Sequence, residues 1–299
     1  MKKTLIFMLF IFNQMIAKDT IEIYNCYGND KRVIVQARVL DAHKFTEAKK
    51  DDDIFTNLKR KLGIIFNDER ENVNITIEIN GEKFERKSDD EGYLEFDLSF
   101  EKKALKPNQK IDLYLTNYKE IENSCNLFIP SDKRQTGIIS DFDDTIIISN
   151  VTNKLSLLNQ LLLKNYKQRE VIKGMKRRFE EILRNSPDKP LFIITGSVKQ
   201  FNKVIRLFLD YHKFPKRTII TKKIHGKNSN SIFEQKDYKS ENIEKLLRLY
   251  PNIEWVLFGD SGEEDRQIYL NIAKKYPSHI KEIYIREIKK ERISKIYPK

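Results

Sequence analysis

Residues 138–145 read Ile138-Ile139-Ser140-Asp141-Phe142-Asp143-Asp144-Thr145, a short apolar run that empties into three carboxylates and a threonine. Side chains of an extended chain alternate between faces, so Asp141 and Asp143 point toward one locus. Like charges there are costly unless a cation sits between them. Magnesium, which prefers carboxylate, carbonyl and water oxygens, suits such a place. Taken alone, the run reads equally well as a solvated turn. A second run, Trp255-Val256-Leu257-Phe258, ends in Gly259-Asp260-Ser261-Gly262-Glu263-Glu264-Asp265, again acids at a strand exit, and two such exits can share one metal. A third, Leu191-Phe192-Ile193-Ile194, stops at Thr195-Gly196-Ser197 before a helical pattern that starts at Val198. Hydroxyls and backbone N–H groups at a helix start make a phosphate seat.

Around these motifs strands alternate with helical stretches, the pattern of an α/β fold with a mostly parallel sheet covered on both faces. Apolar residues recur at helical spacing at Leu155, Leu158, Leu161 and Leu162, at Met175, Phe179 and Ile182, at Phe201, Val204, Ile205 and Leu209, and at Ile243, Leu246, Leu247 and Tyr250. They are core stripes. Ligands of such folds collect beyond the carboxyl ends of the strands, where all three motifs lie. Upstream, short strands are expected at 21–24, 32–40, 73–79, 93–98 and 111–116, with a hairpin signal at Asn80-Gly81 and one helix at 54–62 behind the acidic Asp51-Asp52-Asp53. That is a small β-sandwich-like domain over residues 18–130, followed by a catalytic domain over 131–299 with a polar link at 130–136.

At 299 residues, both domains can bury a core. A third of the residues are charged and the net charge is +12, which fits an acidic partner such as an anionic membrane surface or a phosphorylated substrate and equally well a plain basic, soluble surface; a nucleic acid is the less expected partner. The surplus is spread along the sequence, with a modest concentration at Lys289, Lys290, Arg292, Lys295 and Lys299 against Glu287 and Glu291. Met1-Lys2-Lys3, the apolar stretch to Phe12 and Ala17 resemble a secretory signal over 1–17, implying export to a periplasm or the cell exterior. Met15 sits where a small side chain is preferred, so an uncleaved membrane-associating segment is the alternative. Outside the cytosol Cys26 and Cys125 could pair; two free thiols are the alternative, and two cysteines make no zinc site. The four histidines show no metal-ligand spacing, so His212 and His225 carry no expected role. Nothing in the sequence speaks to oligomeric state.

The three motifs, in this order over 137–288, resemble those of the haloacid dehalogenase (HAD) phosphatase superfamily, whose catalytic domain is a three-layer Rossmann-like parallel sheet. Within it the chain looks like the actin-patch-type phosphatidate phosphatases: Gly259 to Asp265, Ile268-Tyr269, Tyr276-Pro277 and Tyr284-Ile285-Arg286 reproduce their signature run. In the first half, Tyr24, Tyr27, Gly28 and Arg38-Val39-Leu40 match more weakly, with Cys26 and Ala37 where glycines are usual.

The resemblance implies that Asp141 is a nucleophile forming an aspartyl-phosphate and that Asp143 is the general acid and base. It implies that Asp141, Asp143 (through its backbone carbonyl), Asp260 and Asp265 hold Mg2+, and that Thr195, Gly196 and Ser197 bind phosphoryl oxygens. The superfamily also needs a lysine, for which Lys239, beside an expected N-cap at Ser240, is preferred to Lys236. The expected substrate is phosphatidate, giving diacylglycerol, because the intervals between the motifs leave little room for a lid. Alternatives are a phosphoprotein, a nucleic-acid end or a soluble phosphoester, or a basic lipid- or nucleic-acid-binding module with a vestigial site. Val198-Lys199, where the family tends to have Pro-Trp, and Thr221 to Lys227, in place of its histidine-rich run, bear on substrate identity.

Overall fold

The computed structural model describes residues 19–41, 47–65, 70–101, 103–116, 123–148, 163–222, 235–262 and 264–298. The expected signal at 1–17, the stripe at Leu155, Leu158, Leu161 and Leu162, and His225 lie outside the described residues.

The amino-terminal half is two antiparallel sheets. β1 (Asp19–Gly28), β2 (Arg32–Asp41) and β5 (Tyr93–Ser99) form one; β3 (Asn74–Ile79), β4 (Glu82–Lys87), β6 (Lys110–Leu115) and β7 (Asn123–Asn126) form the other, in the order β4-β3-β6-β7. Alternation makes the sandwich. Leu94, Phe96 and Leu98 of β5 turn inward with Val33, Val35 and Val39 and meet Ile75, Ile77, Leu113 and Leu115 of the second sheet, while Glu95, Asp97 and Ser99 face water. Asn80 and Gly81, both at positive φ (55° and 82°), make the two-residue turn between β3 and β4. β4 and β7 were not among the expected strands. They are sheet edges with no buried residue, so neither shows the alternation that marks a half-buried strand. The inserted helix, α1 (Ile54–Ile65), runs past its expected end at 62 and is capped by Asp53, whose Oδ1 accepts the Thr56 N–H at 2.8 Å.

In the second half β8 (Gln135–Ser140), α2 (Met175–Ile182), β9 (Leu191–Val198), α3 (Asn202–Tyr211), β10 (Thr218–Lys222), α4 (Gln235–Leu249), β11 (Ile253–Asp260), α5 (Asp265–Lys275), β12 (Ile280–Glu287) and β13 (Arg292–Tyr297) follow in turn. The sheet order is β10-β9-β8-β11-β12-β13, parallel except for β13. Both faces are covered, which is why the strand sequences are continuously apolar. Ile138 joins Met175, Phe179 and Phe208 on the α2–α3 side; its neighbour Ile139 joins Ile243, Leu246 and Ile268 on the α4–α5 side.

The sandwich closes the open edge of this sheet at β10. The Asn25 side chain donates to the Ile219 carbonyl (2.8 Å) and accepts the Ile219 N–H (3.2 Å), doing for that edge what a further strand would do. Tyr27 packs edge-on against Phe192, ring centroids 5.6 Å apart. Beside them Cys26 and Cys125 are joined in a disulfide with Cα atoms 6.3 Å apart, tying β1 to β7.

Candidate active site

Ser140 lies opposite both Ile193 and Phe258, so the chain beyond β8, β9 and β11 emerges at one end of the sheet. Asp141 leaves β8 with its N–H donated to the Phe258 carbonyl at 2.8 Å. A turn follows: the amides of Ile146 and Ile147 both donate to the Phe142 carbonyl, and Asp144 takes a left-handed φ of 53°. The buried Arg286 of β12 holds this turn by donating to the Asp144 carbonyl at 2.8 Å. Asp143 therefore reaches the mouth through a turn and not through strand alternation, because pairing ends at Ser140 and the period-two rule ends with it.

Asp141, Asp260 and Asp265 are buried, and each offers a carboxylate oxygen within 4.8 Å of the others. Lys239 is buried with them, its Nζ 3.0 Å from Asp141 Oδ1 and 2.5 Å from Asp265 Oδ1. Helical spacing puts it there. Lys239 precedes Ile243, Leu246 and Leu247 by four, seven and eight positions, so it continues the stripe that α4 turns to the core. The expected boundary needs correction: α4 begins at Gln235, so Lys239 lies within the helix and Ser240 is not its cap. Buried Tyr238 already packs in the core, and the apolar face starts there. The Lys236 side chain lies outside the described residues.

The Gly-Asp-Ser-Gly run is explained by crowding. A Cβ on Gly259 would stand 2.6 Å from Asp265 Oδ2 and 2.8 Å from the Tyr269 ring, so only glycine lets α5 press Asp265 against the strand end. Asp265 Oδ2 accepts the Asp260 N–H at 3.3 Å, and Asp260 Oδ1 accepts the Gly262 N–H at 2.5 Å. These bonds fix both carboxylates before any ligand arrives. Tyr269 donates to the Phe258 carbonyl at 3.1 Å; burial first, then the Asp265 charge, holds its phenol well above the ordinary range.

Thr195 is fully buried, and its hydroxyl oxygen accepts the Ser197 N–H at 3.1 Å; Ser197 Oγ in turn donates to Asp143 Oδ2 at 3.1 Å. The expected helix start at Val198 is displaced. β9 continues through Val198, which pairs with Lys222 while Thr195 pairs with Thr221, so Gly196 and Ser197 are looped out between two paired positions. The β-branched valine resumes the strand, and α3 follows only after a short 3₁₀ turn at Lys199–Phe201.

Two cations near this end were not singled out from sequence. Arg169, buried, places a guanidinium nitrogen 3.8 Å from Asp143 Oδ1; burial lowers its pKa, opposed by the charges of Asp143 and then Asp144. It sits in a loop, where no periodicity flags it. Lys222, buried at the end of β10 with its Nζ 5.9 Å from the Tyr238 ring centroid, does have a signal, because it terminates an apolar run just as the acids terminate theirs. His212 is no ligand candidate: it packs on Phe208, and burial lowers its pKa, opposed by a hydrogen bond with the Arg169 main chain.

Three buried carboxylates around one site offer only hard oxygen donors, which fit magnesium and not a soft metal. The Asp143 side chain is outside this trio. A separate cleft of about 960 Å³, lined by Tyr24, Asn25, Arg206 and Arg217 among others, lies at the amino ends of β9 and β10, away from the acids.

Residues 136–287 match the family model described as the catalytic domain of phosphatidate phosphatase APP1. Phosphatidate phosphatase APP1 of Saccharomyces cerevisiae is 30% identical over 152 residues, 50% of this chain and 25% of that protein. An uncharacterized protein of Schizosaccharomyces pombe is 25% identical over 158 residues, 52% of this chain and 26% of that one. The chain thus spans about a quarter of the length of the curated relatives it matches. Among solved structures, the HAD domain of the effector protein Lem4 from Legionella pneumophila aligns with a TM-score of 0.34 at 14% identity, over 52% of this chain and 86% of that one. With half of its residues under the family model, and with the acids, lysine and glycines of that half gathered at one end of the sheet, the chain belongs to the APP1 phosphatidate phosphatase catalytic-domain family.

Proposed function

We propose that this protein is a magnesium-dependent phosphatase that hydrolyses phosphatidate to diacylglycerol and phosphate. The observation that carries the proposal is the buried trio Asp141, Asp260 and Asp265 with Lys239 bonded to two of its members. The Asp141 carboxylate attacks phosphorus in line, and the departing glycerol oxygen takes a proton from Asp143, leaving an aspartyl-phosphate. Asp143 then removes a proton from water, which displaces phosphate and returns Asp141. Lys239 orients the nucleophile and screens it from Asp265. The Thr195 hydroxyl and the Gly196 N–H supply hydrogen bonds to phosphoryl oxygens, while Ser197 orients the Thr195 hydroxyl through its N–H and, with Arg169, holds Asp143 in place. Asp141, Asp260, Asp265 and the Asp143 carbonyl would hold magnesium, which when bound offsets the crowded negative charge and polarises a phosphoryl oxygen.

A lipid phosphate is favoured by the likeness to the Saccharomyces phosphatidate phosphatase. The described parts of the intervals between motifs agree with it, since they hold α2, α3 and β10, elements of the sheet's own core. Export is part of the same proposal, supported by the signal-like first residues and the Cys26–Cys125 disulfide. The test is phosphate release from phosphatidate–detergent micelles, with magnesium and after chelation, comparing wild type with Asp141→Asn. A loss of about 10⁴-fold or more is expected on either change. Equal rates for the two proteins would remove the mechanism. Release from phosphopeptides or soluble esters with none from phosphatidate would remove the substrate.

A further inference from the structure

α1 is inside out. Ile54, Leu58 and Leu62 recur every fourth residue with Phe55 beside them; Leu58 is part-buried, but the other three face solvent: Phe55 is 83% exposed, Ile54 56% and Leu62 38%. Among the described side chains, the polar Asn57 and Arg60 are the ones turned inward. Asn57, almost wholly buried, donates to the Leu163 carbonyl (3.0 Å) and to Gln168 Oε1 (2.8 Å) and accepts from Asn165 (3.0 Å); Arg60 pairs with Asp52 at 2.9 Å beneath the helix. A surface helix ordinarily buries its apolar stripe and wets its amides. The reverse arrangement here is locked by a hydrogen-bond network, so the apolar ridge is built to be outside.

The ridge stands at the rim of the mouth. Gln168, to which Asn57 is bonded, precedes Arg169, which reaches Asp143, and α1 also packs against the Lys199–Phe201 turn that follows Ser197. Leu163, exposed and directly beside Asn57, extends the apolar surface. Lys50, Lys59 and Lys164 are exposed around it, in a chain of net charge +12, against the exposed Asp51; Asp53 at the helix start is engaged in its cap and Asp52 in the pair with Arg60. A convex ridge of aliphatic and aromatic side chains flanked by lysines matches the headgroup boundary of an anionic bilayer, in which an interfacial helix lies with its apolar face in the acyl region.

We infer that α1 is the membrane-docking element of this protein, inserting Ile54, Phe55 and Leu62 into an anionic lipid surface so that the mouth opens onto lipid headgroups. The inference rests on the lipid-phosphate reading for its purpose but not for its test, which uses phosphatidylcholine vesicles containing phosphatidylserine and no phosphatidate. In flotation, the full chain should bind these vesicles, and Phe55→Ser/Leu62→Ser should bind at least about tenfold more weakly while keeping the wild-type melting curve and its rate on p-nitrophenyl phosphate. In a Phe55→Trp variant, adding vesicles should shift the indole emission to the blue, against the constant background of the buried Trp255. Undiminished flotation of the double serine variant, no emission shift, or a change in self-association in place of vesicle binding would overturn the inference. Vesicle binding through α1 by a protein that releases no phosphate from phosphatidate would leave this surface standing and refute the proposed reaction.

Discussion

The seam between the sandwich and β10 and the mouth at the far ends of the same strands are both lined with buried polar groups, and they differ in how these are matched. At the seam the groups that join the two halves are paired: Asn25 answers both the N–H and the carbonyl of Ile219, and Arg206 donates to the Tyr24 carbonyl at 2.5 Å. At the mouth three carboxylates crowd toward one another with Lys239 bonded to two of them. Matched groups hold a fold together. Crowded like charges cost folding energy and are retained where a cation or a phosphate needs them. Substitutions at the seam should therefore move stability and leave turnover alone, while conservative changes at the mouth should do the reverse.

Lys239→Met is the severest test, because it should violate both halves of that rule at once. It removes the ammonium from between Asp141 and Asp265, abolishes turnover, and lowers stability by about 3–5 kcal/mol, the usual cost of leaving a buried charge without its partner. Denaturant unfolding beside the phosphate-release assay measures both; a variant of wild-type stability would mean that the carboxylates are not held ionised. Next is the seam. Cys125→Ser opens a link between residues 99 apart and should cost about 4–5 kcal/mol in the chain-entropy account, with kcat/KM unchanged. A fall in kcat/KM at a temperature where the variant is folded would show that the seam reaches the mouth.

The same contrast explains what the sequence disclosed. Acids that end apolar runs announce themselves, because a strand followed at once by carboxylates has few other uses, and Asp141, Asp260 and the parallel sheet behind them were legible in that way. Lys239 was selected because the resemblance calls for a lysine ahead of that helix and Ser240 looked like its cap; the helix begins a turn earlier, and what brings Lys239 to the acids is its place on the α4 stripe. Arg169 was invisible, since a loop has no period and its burial beside Asp143 is a tertiary fact. The Gly196–Ser197 excursion was missed for a related reason: a helix start and a strand that loops out and resumes at Val198 look alike until the partner strand is known. β4 and β7 went unseen because a strand with no buried residue carries no alternation. The solvent-facing stripe of α1 has the spacing of a core stripe, and sequence does not say which side of a helix the protein occupies.

Asn25→Ala is the finer probe of the seam. It leaves the Ile219 N–H without its acceptor and the carbonyl with Asn202 alone, and should lower stability by about 1–3 kcal/mol, with the slope of the denaturant transition unchanged if the halves unfold together. A second transition would instead mark the sandwich as separable from the sheet.

The smallest effect belongs to charges that are matched and exposed. Glu287, at the end of β12, accepts from Arg292, Lys290 and Ser294, and these partners, Arg292 foremost, hold its carboxyl at about 2. Because the folded value lies below that of an unfolded glutamate, about 4.3, its contribution is complete above that pH. It is lost as pH falls through the interval between the two values. The difference in stability between wild type and Glu287→Gln should thus be present at neutral pH, shrink with acidification and vanish at the bottom of that interval, and it should stay small because solvent screens the group. Carboxyl carbon NMR titration reads the site directly. A midpoint near the ordinary glutamate value would show that exposed pairs do not hold their geometry in solution, and that in this molecule only burial, as at Asp141 and Lys239, makes a charge matter.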